Sequence, residues 1–234
     1  MSRPPTQTLP PDGSSRPARM RQAVVAAVDR RTLVDHTFGY PVAESDGLLA
    51  STAAGHRPGA CGTACRHDPA LAAGLLSDSV APRIEVAYVG VDQQAAAAGV
   101  VEQLQAVGIR ATERELRPED LAAVIVDGGS DLFSFGWVAP ATSADAVLPP
   151  LLTAGSPANV AKIDVPAVAD LLSRASVTAD DEARWALLDQ AHRLAMAENL
   201  LLPIAGPTST LVRGPRAAAL AVRADGSIDL ETIR

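Results

Sequence analysis

Apolar residues recur at helical spacing in two segments of the first third of the chain. The first segment predicts a helix that begins near Pro17, with Met20, Val24, Ala27 and Val28 on one face. The second follows Asp68-Pro69, a pair that provides an N-cap and a first-turn proline. Its predicted buried positions are Leu71, Ala72, Leu75 and Leu76. Between them, residues 39–66 have no such period and contain many glycines and prolines, which predicts a long irregular connection.

Residues 84–116 show a strand-like alternation, then a helical period, then a second strand-like segment. Residues 84–90 alternate, and a helix is predicted to begin at an N-cap, Asp92, and to end at Gly108. Residues 109–116 form the next predicted strand. A strand, crossover helix and strand of this length predict a right-handed unit with a parallel pair. A third strand is predicted over residues 131–137, after Gly128-Gly129.

Three helices and several short strands complete the pattern. The helices are predicted over residues 144–152, from Pro166, and from a start that resembles a capping box at Thr178 and Asp181. The strand-like pieces lie at residues 210–213, 218–223 and 228–230. Together these elements predict an α/β fold with a mixed sheet and flanking helices.

Composition narrows the classes of partner. The 234 residues include 47% hydrophobic ones, enough for a substantial core. The formal net charge of -7 argues against a nucleic-acid partner, because phosphates require a basic surface. No apolar run approaches the roughly 18 residues that span a membrane. Residues 1–17 lack the apolar region of a signal peptide and are expected to be disordered.

Six segments, in the same order along the chain, resemble landmarks of the family 5 extracellular solute-binding proteins of peptide and nickel ABC importers. Residues 21–30 read RQAVVAAVDR, similar to the family's VRQAIAYAIDR, and residues 131–137 end in the Gly-Trp pair of a family strand. The other four matches are residues 67–69, 103–109, 159–172 and 225–230.

The resemblance implies a type II periplasmic-binding-protein fold, in which two α/β lobes close on a ligand. This chain would supply the second lobe over residues 18–206, and residues 207–234 would return toward a first lobe that another chain supplies or that is lost. The implied partners are a peptide or other small solute and an ABC permease, with an extracytoplasmic location. No cofactor or chemical conversion is implied, so we do not expect an enzyme.

The resemblance also supplies candidate ligand residues. Trp137 corresponds to a family position beside the ligand cleft, although an aromatic residue at a strand end is more often part of the core. Gly136 would allow close approach of a ligand. The family aspartate three residues after the tryptophan, which pairs with a ligand's amino group, is Pro140 here, and Asp145 is the nearest acidic substitute.

Both cysteines and two histidines lie close together, within residues 56–67. A disulfide between Cys61 and Cys65 suits an exported protein, and a zinc site with His56 and His67 or a pair of free thiols are the alternatives. The spacing disfavours zinc, because Cys65 and His67 are separated by one residue and rarely reach one tetrahedral ion together.

Nothing in the sequence points to catalysis: it contains no G-x-S-x-G elbow and no P-loop. A ligand-sensing regulatory domain on the same fold and a non-functional remnant remain as alternatives to a transport role.

Overall fold

The computed structural model describes residues 16–37, 42–77, 82–127, 129–137, 139–207, 214–215, 220–222 and 227–229. Within these residues the chain forms eight α-helices and seven short strands. The helices are α1 (Arg16–Ala27), α2 (Arg30–His36), α3 (Pro69–Leu76), α4 (Val91–Ala106), α5 (Leu121–Asp127), α6 (Ala144–Leu152), α7 (Pro166–Ser176) and α8 (Asp181–Ala197). The strands are β1 (Val42–Glu44), β2 (Arg83–Val89), β3 (Arg110–Leu116), β4 (Leu132–Phe133), β5 (Ala205–Pro207), β6 (Ala221–Val222) and β7 (Ile228–Asp229).

The two N-terminal helical predictions are confirmed. The carboxylate of Asp68 accepts from the backbone N–H of Leu71, and Pro69 occupies the first turn of α3. One buried position was wrong: Leu71 is 42% exposed, because α3 turns Ala72 and Leu76 toward the core instead. The predicted disordered segment lies outside the described residues, apart from the first two residues of α1.

The predicted strand, helix and strand unit is confirmed as a parallel pair. β2 and β3 pair in parallel from Arg83 opposite Arg110 to Val89 opposite Leu116, and α4 connects them. The predicted N-cap was wrong, because Gly90 caps α4 and Asp92 lies inside the helix. Gly90 has φ 76°, a left-handed conformation that glycine adopts without strain, so the helix begins directly after the turn.

The third strand is shorter than predicted. β4 covers Leu132 and Phe133, which pair in parallel with Val86 and Ala87 of β2, and residues 134–137 leave the sheet. The main sheet has the strand order β3-β2-β4 and is wholly parallel among the described residues. Antiparallel pairs occur in separate two-stranded sheets, β1-β5 and β6-β7, rather than in one mixed sheet. α5, which the sequence analysis did not predict, leads from β3 to β4; its continuous apolar run carries no helical period.

The three later helices are confirmed, with one cap reassigned. Asp180 caps α8 by accepting from the backbone N–H of Ala183. Thr178 instead donates its hydroxyl to the carbonyl of Arg174 and so completes the end of α7. The predicted cap at Thr178 and Asp181 was therefore wrong by two residues.

The connection predicted as irregular contains a strand and a 3-10 turn. β1 pairs antiparallel with β5 from Val42 opposite Pro207 to Glu44 opposite Ala205, and Gly62–Cys65 form the turn. Of the predicted C-terminal strands, residues 210–213 lie outside the described residues. β6 and β7 are the described parts of the other two. The domain boundaries at residues 17 and 206 stay predictions.

Two apolar clusters form the core. The first joins α1, α2 and α3 to β2, α4 and β3, and the second joins α6, α7 and α8 to the segment around Leu49 and Ala53. A smaller cluster of Val25, Cys61, Ala64 and Met196 lies between α1 and α8. None of the described helices is long and apolar enough to cross a membrane.

Candidate functional site

The order of the parallel strands places a crevice beside the central strand. From β2 the chain passes through α4 to β3 on one side, and then through α5 to β4 on the other side. Where neighbouring parallel strands connect in opposite directions, their carboxyl ends leave a crevice, which is the usual ligand position in open α/β sheets. Here that position lies between the ends of β2 and β4.

On the β2 side, the crevice is bounded by the turn into α4. Gly90 makes this turn with φ 76°, and a Cβ atom added there would meet no atom within 4 Å. Val91, the first residue of α4, is 77% exposed. An apolar side chain this exposed at the carboxyl end of a buried strand contributes an accessible hydrophobic surface.

On the β4 side, the chain runs from one core cluster to the other. The backbone N–H of Ser134 donates to the carbonyl of Ala87 at 2.8 Å and so keeps the segment beside β2. Phe135 is 37% exposed and its ring contacts Phe133 edge to face, with centroids 6.4 Å apart. A Cβ added at Gly136 would meet no atom within 4 Å, so there is open space beside the backbone here. Trp137 is half-buried and packs against the second cluster.

The segment that follows is fixed by backbone pairing with the connection after β1. The N–H of Ala54 donates to the carbonyl of Thr142 at 2.9 Å, and the N–H of Ala144 donates to the carbonyl of Ala54 at 2.8 Å. Ser143 caps α6 by accepting from the N–H of Ala146. Pro140 therefore lies between Trp137 and a fixed helix start, where it supplies no charge.

Asp145 lies in the first turn of α6, as expected, and its carboxylate is already occupied. Arg184 donates from Nε to one oxygen at 2.6 Å, and Trp185 donates from Nε1 to the other at 2.7 Å. Burial alone would raise the pKa of Asp145, but the hydrogen bonds from Arg184 and Trp185 outweigh it and hold this pKa below its usual value. The role of Asp145 as a ligand residue stays untested.

The other acidic side chain of this region is also engaged. Asp131 accepts from the backbone N–H of Glu85 at 2.9 Å, a contact that holds the start of β4 against β2. Ser130 donates its hydroxyl to the carbonyl of Leu132 at 2.7 Å. Within the described part of residues 129–145, both acidic side chains therefore have protein partners.

The two cysteines lie at either end of the 3-10 turn, close enough for the predicted disulfide. Their Cα atoms are 5.5 Å apart, within the usual range for a disulfide. The two nearby histidines have separate partners, since His56 contacts Asp46 at 3.1 Å and His67 lies 3.8 Å from Asp29. No cluster of three or more metal-ligating side chains occurs in the described part of the chain. The disulfide stays a prediction.

Two grooves elsewhere are too small for a drug-sized ligand. One, of about 170 Å³, lies mainly between α1 and α3, and the other, of about 280 Å³, lies between α2 and α4. Pockets for such ligands span roughly 300–1,000 Å³. The crevice at the end of the sheet is preferred on strand order, not on enclosure.

The ligand roles of Gly136 and Trp137 stay predictions, and three other residues that shape this region were not predicted. Gly90 was assigned to a strand, although a glycine between a strand and a helix indicates a turn. Arg184 and Trp185 contact Asp145 across about 40 positions, and nothing in local spacing marks such a pair.

Comparison with known proteins identifies the family. The model of bacterial extracellular solute-binding proteins, family 5, matches residues 8–159, which is more than half of the chain. None of the curated protein sequences matches.

Solved structures agree in fold. OppA of Burkholderia pseudomallei is 25% identical with a TM-score of 0.71, and the match covers 80% of this chain and 39% of that one. The murein tripeptide binding protein MppA of Escherichia coli is 21% identical with a TM-score of 0.73 and the same coverage. A peptide-binding protein of a peptide ABC transporter is 19% identical with a TM-score of 0.71, and the match covers 90% of that chain.

The chain thus spans less than two-fifths of the length of the OppA and MppA structures. Because the family match extends over most of the chain and the fold agrees, the chain belongs to the bacterial extracellular solute-binding proteins of family 5.

Proposed function

We propose that this chain is the second lobe of the substrate-binding component of a peptide-type ABC importer, working outside the cytoplasm. It binds a peptide or other small solute at the carboxyl ends of β2 and β4 and does not convert it chemically. The observation that supports the proposal is the strand order β3-β2-β4, which leaves a switch point between the carboxyl ends of β2 and β4. Gly90 and Gly136 follow these two strands and have open space beside them.

Family membership and the named relatives support a peptide ligand. OppA of Haemophilus influenzae is described in complex with the peptide RPPGFSPFR, and MppA is described as a murein tripeptide binding protein. Phe135 and Trp137 supply apolar surface for such a ligand. A first lobe, from another chain or another part of the protein, would cover its other side, and a permease would receive it.

The proposed ligand preference follows from the absence of a free acidic group in the described part of residues 129–145. Pro140 occupies the position at which peptide-binding relatives commonly have an aspartate, and Asp131 and Asp145 already have partners. The described part of residues 129–145 would therefore offer a ligand's ammonium group no unpaired carboxylate. We expect peptides with free and with N-acetylated amino termini to bind about equally.

A substitution at Gly136 tests the position of the ligand. In Gly136→Val the added Cβ would meet no protein atom within 4 Å, so the fold should be retained while the approach of a ligand is blocked. Gly74→Val is the matched control, since Gly74 lies on α3, far along the chain from the crevice, and has equally open surroundings. Saturation-transfer NMR with millimolar tri- to hexapeptides would report binding.

We expect a peptide signal with the unmodified chain and with Gly74→Val, and its loss with Gly136→Val at an unchanged melting temperature. Equal signals from all three proteins would place the ligand elsewhere. The lack of any signal from the unmodified chain would contradict the proposed binding by this lobe.

A further inference from the structure

The connection between Trp137 and α6 is held by three sets of contacts that converge on Asp145 and α8. The carboxylate of Asp145 accepts from Arg184 and Trp185, one donor to each oxygen. Arg184 also donates to the carbonyl of Thr178 at 3.1 Å and to the carboxylate of Asp181. The guanidinium is thereby fixed, and it fixes Asp145 in turn.

The indole of Trp185 is itself tightly packed against the backbone of Gly55. A Cβ added at Gly55 would lie 2.7 Å from Cγ of Trp185 and 2.9 Å from Cβ of Ala144, so the backbone of Gly55 packs directly on both. The neighbouring residue, Ala54, makes the two backbone hydrogen bonds that clamp residues 142–144. The Asp145 carboxylate, the Trp185 indole and the backbone hydrogen bonds of Ala54 therefore form one continuous network of contacts.

We propose that Asp145 is a positioning residue of the ligand site, one that fixes the connection after Trp137 and does not contact a ligand. The proposal rests on the proposed function for the meaning of "ligand site", but the contacts themselves do not depend on it. Asp145 is the acidic residue that sequence reasoning offered as a partner for a ligand's amino group. Each of its two oxygens already accepts a hydrogen bond, so an ammonium would compete with Arg184 for the same negative charge.

Hydrogen exchange tests the positioning role without any ligand. Asp145→Asn keeps the size of the side chain and removes the charge that holds Arg184. We expect the amides of Ala54 and Ala144 to exchange about tenfold faster or more, as for the loss of a hydrogen bond to a charged group. Trp185→Phe removes the other donor and should act in the same direction, which keeps the test available if one variant folds poorly.

Asp170→Asn is the matched control. Asp170 forms an exposed pair with Arg174 on α7, with 3.5 Å between the charged atoms, and contributes nothing to the clamp. It should leave the exchange of Ala54 and Ala144 unchanged. If Asp145→Asn also leaves them unchanged, or speeds exchange equally throughout the chain, Asp145 has no positioning role.

A binding measurement separates positioning from direct contact. If Asp145 positions the connection, Asp145→Asn weakens free and N-acetylated tripeptides by the same factor. If the carboxylate contacts the ligand, the substitution weakens the free peptide selectively, and this result overturns the proposal. When the unmodified chain binds neither peptide, the proposed function fails, and the exchange of Ala54 and Ala144 alone decides the role of Asp145.

Discussion

His192 is a buried ring on α8 that uses only one of its two nitrogens. It is 1% exposed, and Nε2 accepts from the backbone N–H of Leu48 at 3.0 Å. Nδ1, which must then carry the proton, has no partner among the described residues. Gly47 makes this packing possible, because a Cβ there would lie 2.6 Å from the imidazole Cε1.

Burial lowers the pKa of His192 to about 4, because the charged ring would lose its hydration. Asp189 and Asp46 oppose this shift, and Arg193 and His56 add to it. The unfolded chain, with its histidine near 6.5, therefore binds more protons than the folded chain between about pH 6.5 and pH 4. Stability should fall as the pH is lowered through this window, by about 3 kcal/mol from this group at pH 4.

Urea unfolding between pH 7 and pH 4 measures this dependence. His192→Gln can still accept from Leu48 and should flatten the dependence, whereas His36→Gln, at an exposed position on α2, should retain it. The lowered carboxyl pKa values of Asp46 and Asp145 make a distinct contribution, because their stabilisation is lost only as the pH falls below about 3.8. An unchanged slope in His192→Gln would contradict the role of burial.

At the scale of elements, two glycines lie in the connection between β1 and α3. Substituting each of them distinguishes the cost of a strained backbone from the cost of a steric clash. Gly55 and Gly59 have φ 79° and 72°, which disfavour a side chain to a similar extent. A Cβ at Gly59 meets nothing within 4 Å, whereas one at Gly55 meets Trp185 at 2.7 Å. We expect Gly59→Ala to cost roughly 1 kcal/mol and Gly55→Ala about 1–3 kcal/mol more.

Chemical denaturation of the two alanine variants gives the difference in unfolding free energy. Trp185 fluorescence in a Trp137→Phe background should change with Gly55→Ala and not with Gly59→Ala. Equal destabilisation by the two substitutions would show that the connection does not pack on α8 as described.

We expect the thiols of Cys61 and Cys65 to be oxidised to a disulfide, closing a short loop, in an exported or air-exposed protein. Thiol titration of the denatured, unreduced protein should then find no free thiols. Because only a few residues separate the cysteines, the bond should contribute no more than about 2 kcal/mol of stability. Two free thiols would reject the bridge, and stoichiometric zinc binding by the reduced protein would favour the metal site.

Local patterns predicted the elements that depend on local interactions. The alternation from Ile84 to Tyr88 and the glycine at position 108 were sufficient for the parallel unit, and Asp68-Pro69 was sufficient for the start of α3. β1 and β5 were missed, because each has three residues and they pair across about 160 positions. The predicted caps Asp92 and Thr178 were wrong, because α4 begins after Gly90 and α8 begins after Asp180.

The candidate site was only half predictable for the same reason. Gly136 and Trp137 were proposed through a resemblance in sequence order, and their ligand roles stay predictions. Strand pairing shows only that Leu132 and Phe133 lie beside β2. The occupation of Asp145 could not be foreseen, since Arg184 and Trp185 reach it from another helix. A sequence shows that a carboxylate is present, but only the packed structure shows whether it is free.

At the scale of the whole molecule, residues 132–137 connect the two core clusters. Leu132 packs against the first cluster and Trp137 against the second, so the proposed ligand surface lies on the segment that joins them. One lobe covers a ligand from one side only, and affinity requires enough contact to offset the cost of association. We therefore expect the chain alone to bind peptides near the millimolar range, equivalent to about 4 kcal/mol. Micromolar binding measured by calorimetry would contradict this half-site argument.

The most direct test of the central claim is a titration of the isotope-labelled chain with millimolar tri- to hexapeptides, followed by amide chemical shifts. We expect the shifts to concentrate at residues 90–93 and 134–137, at the carboxyl ends of β2 and β4. Shifts confined to the grooves beside α1 or α2, or no shifts at all, would contradict it.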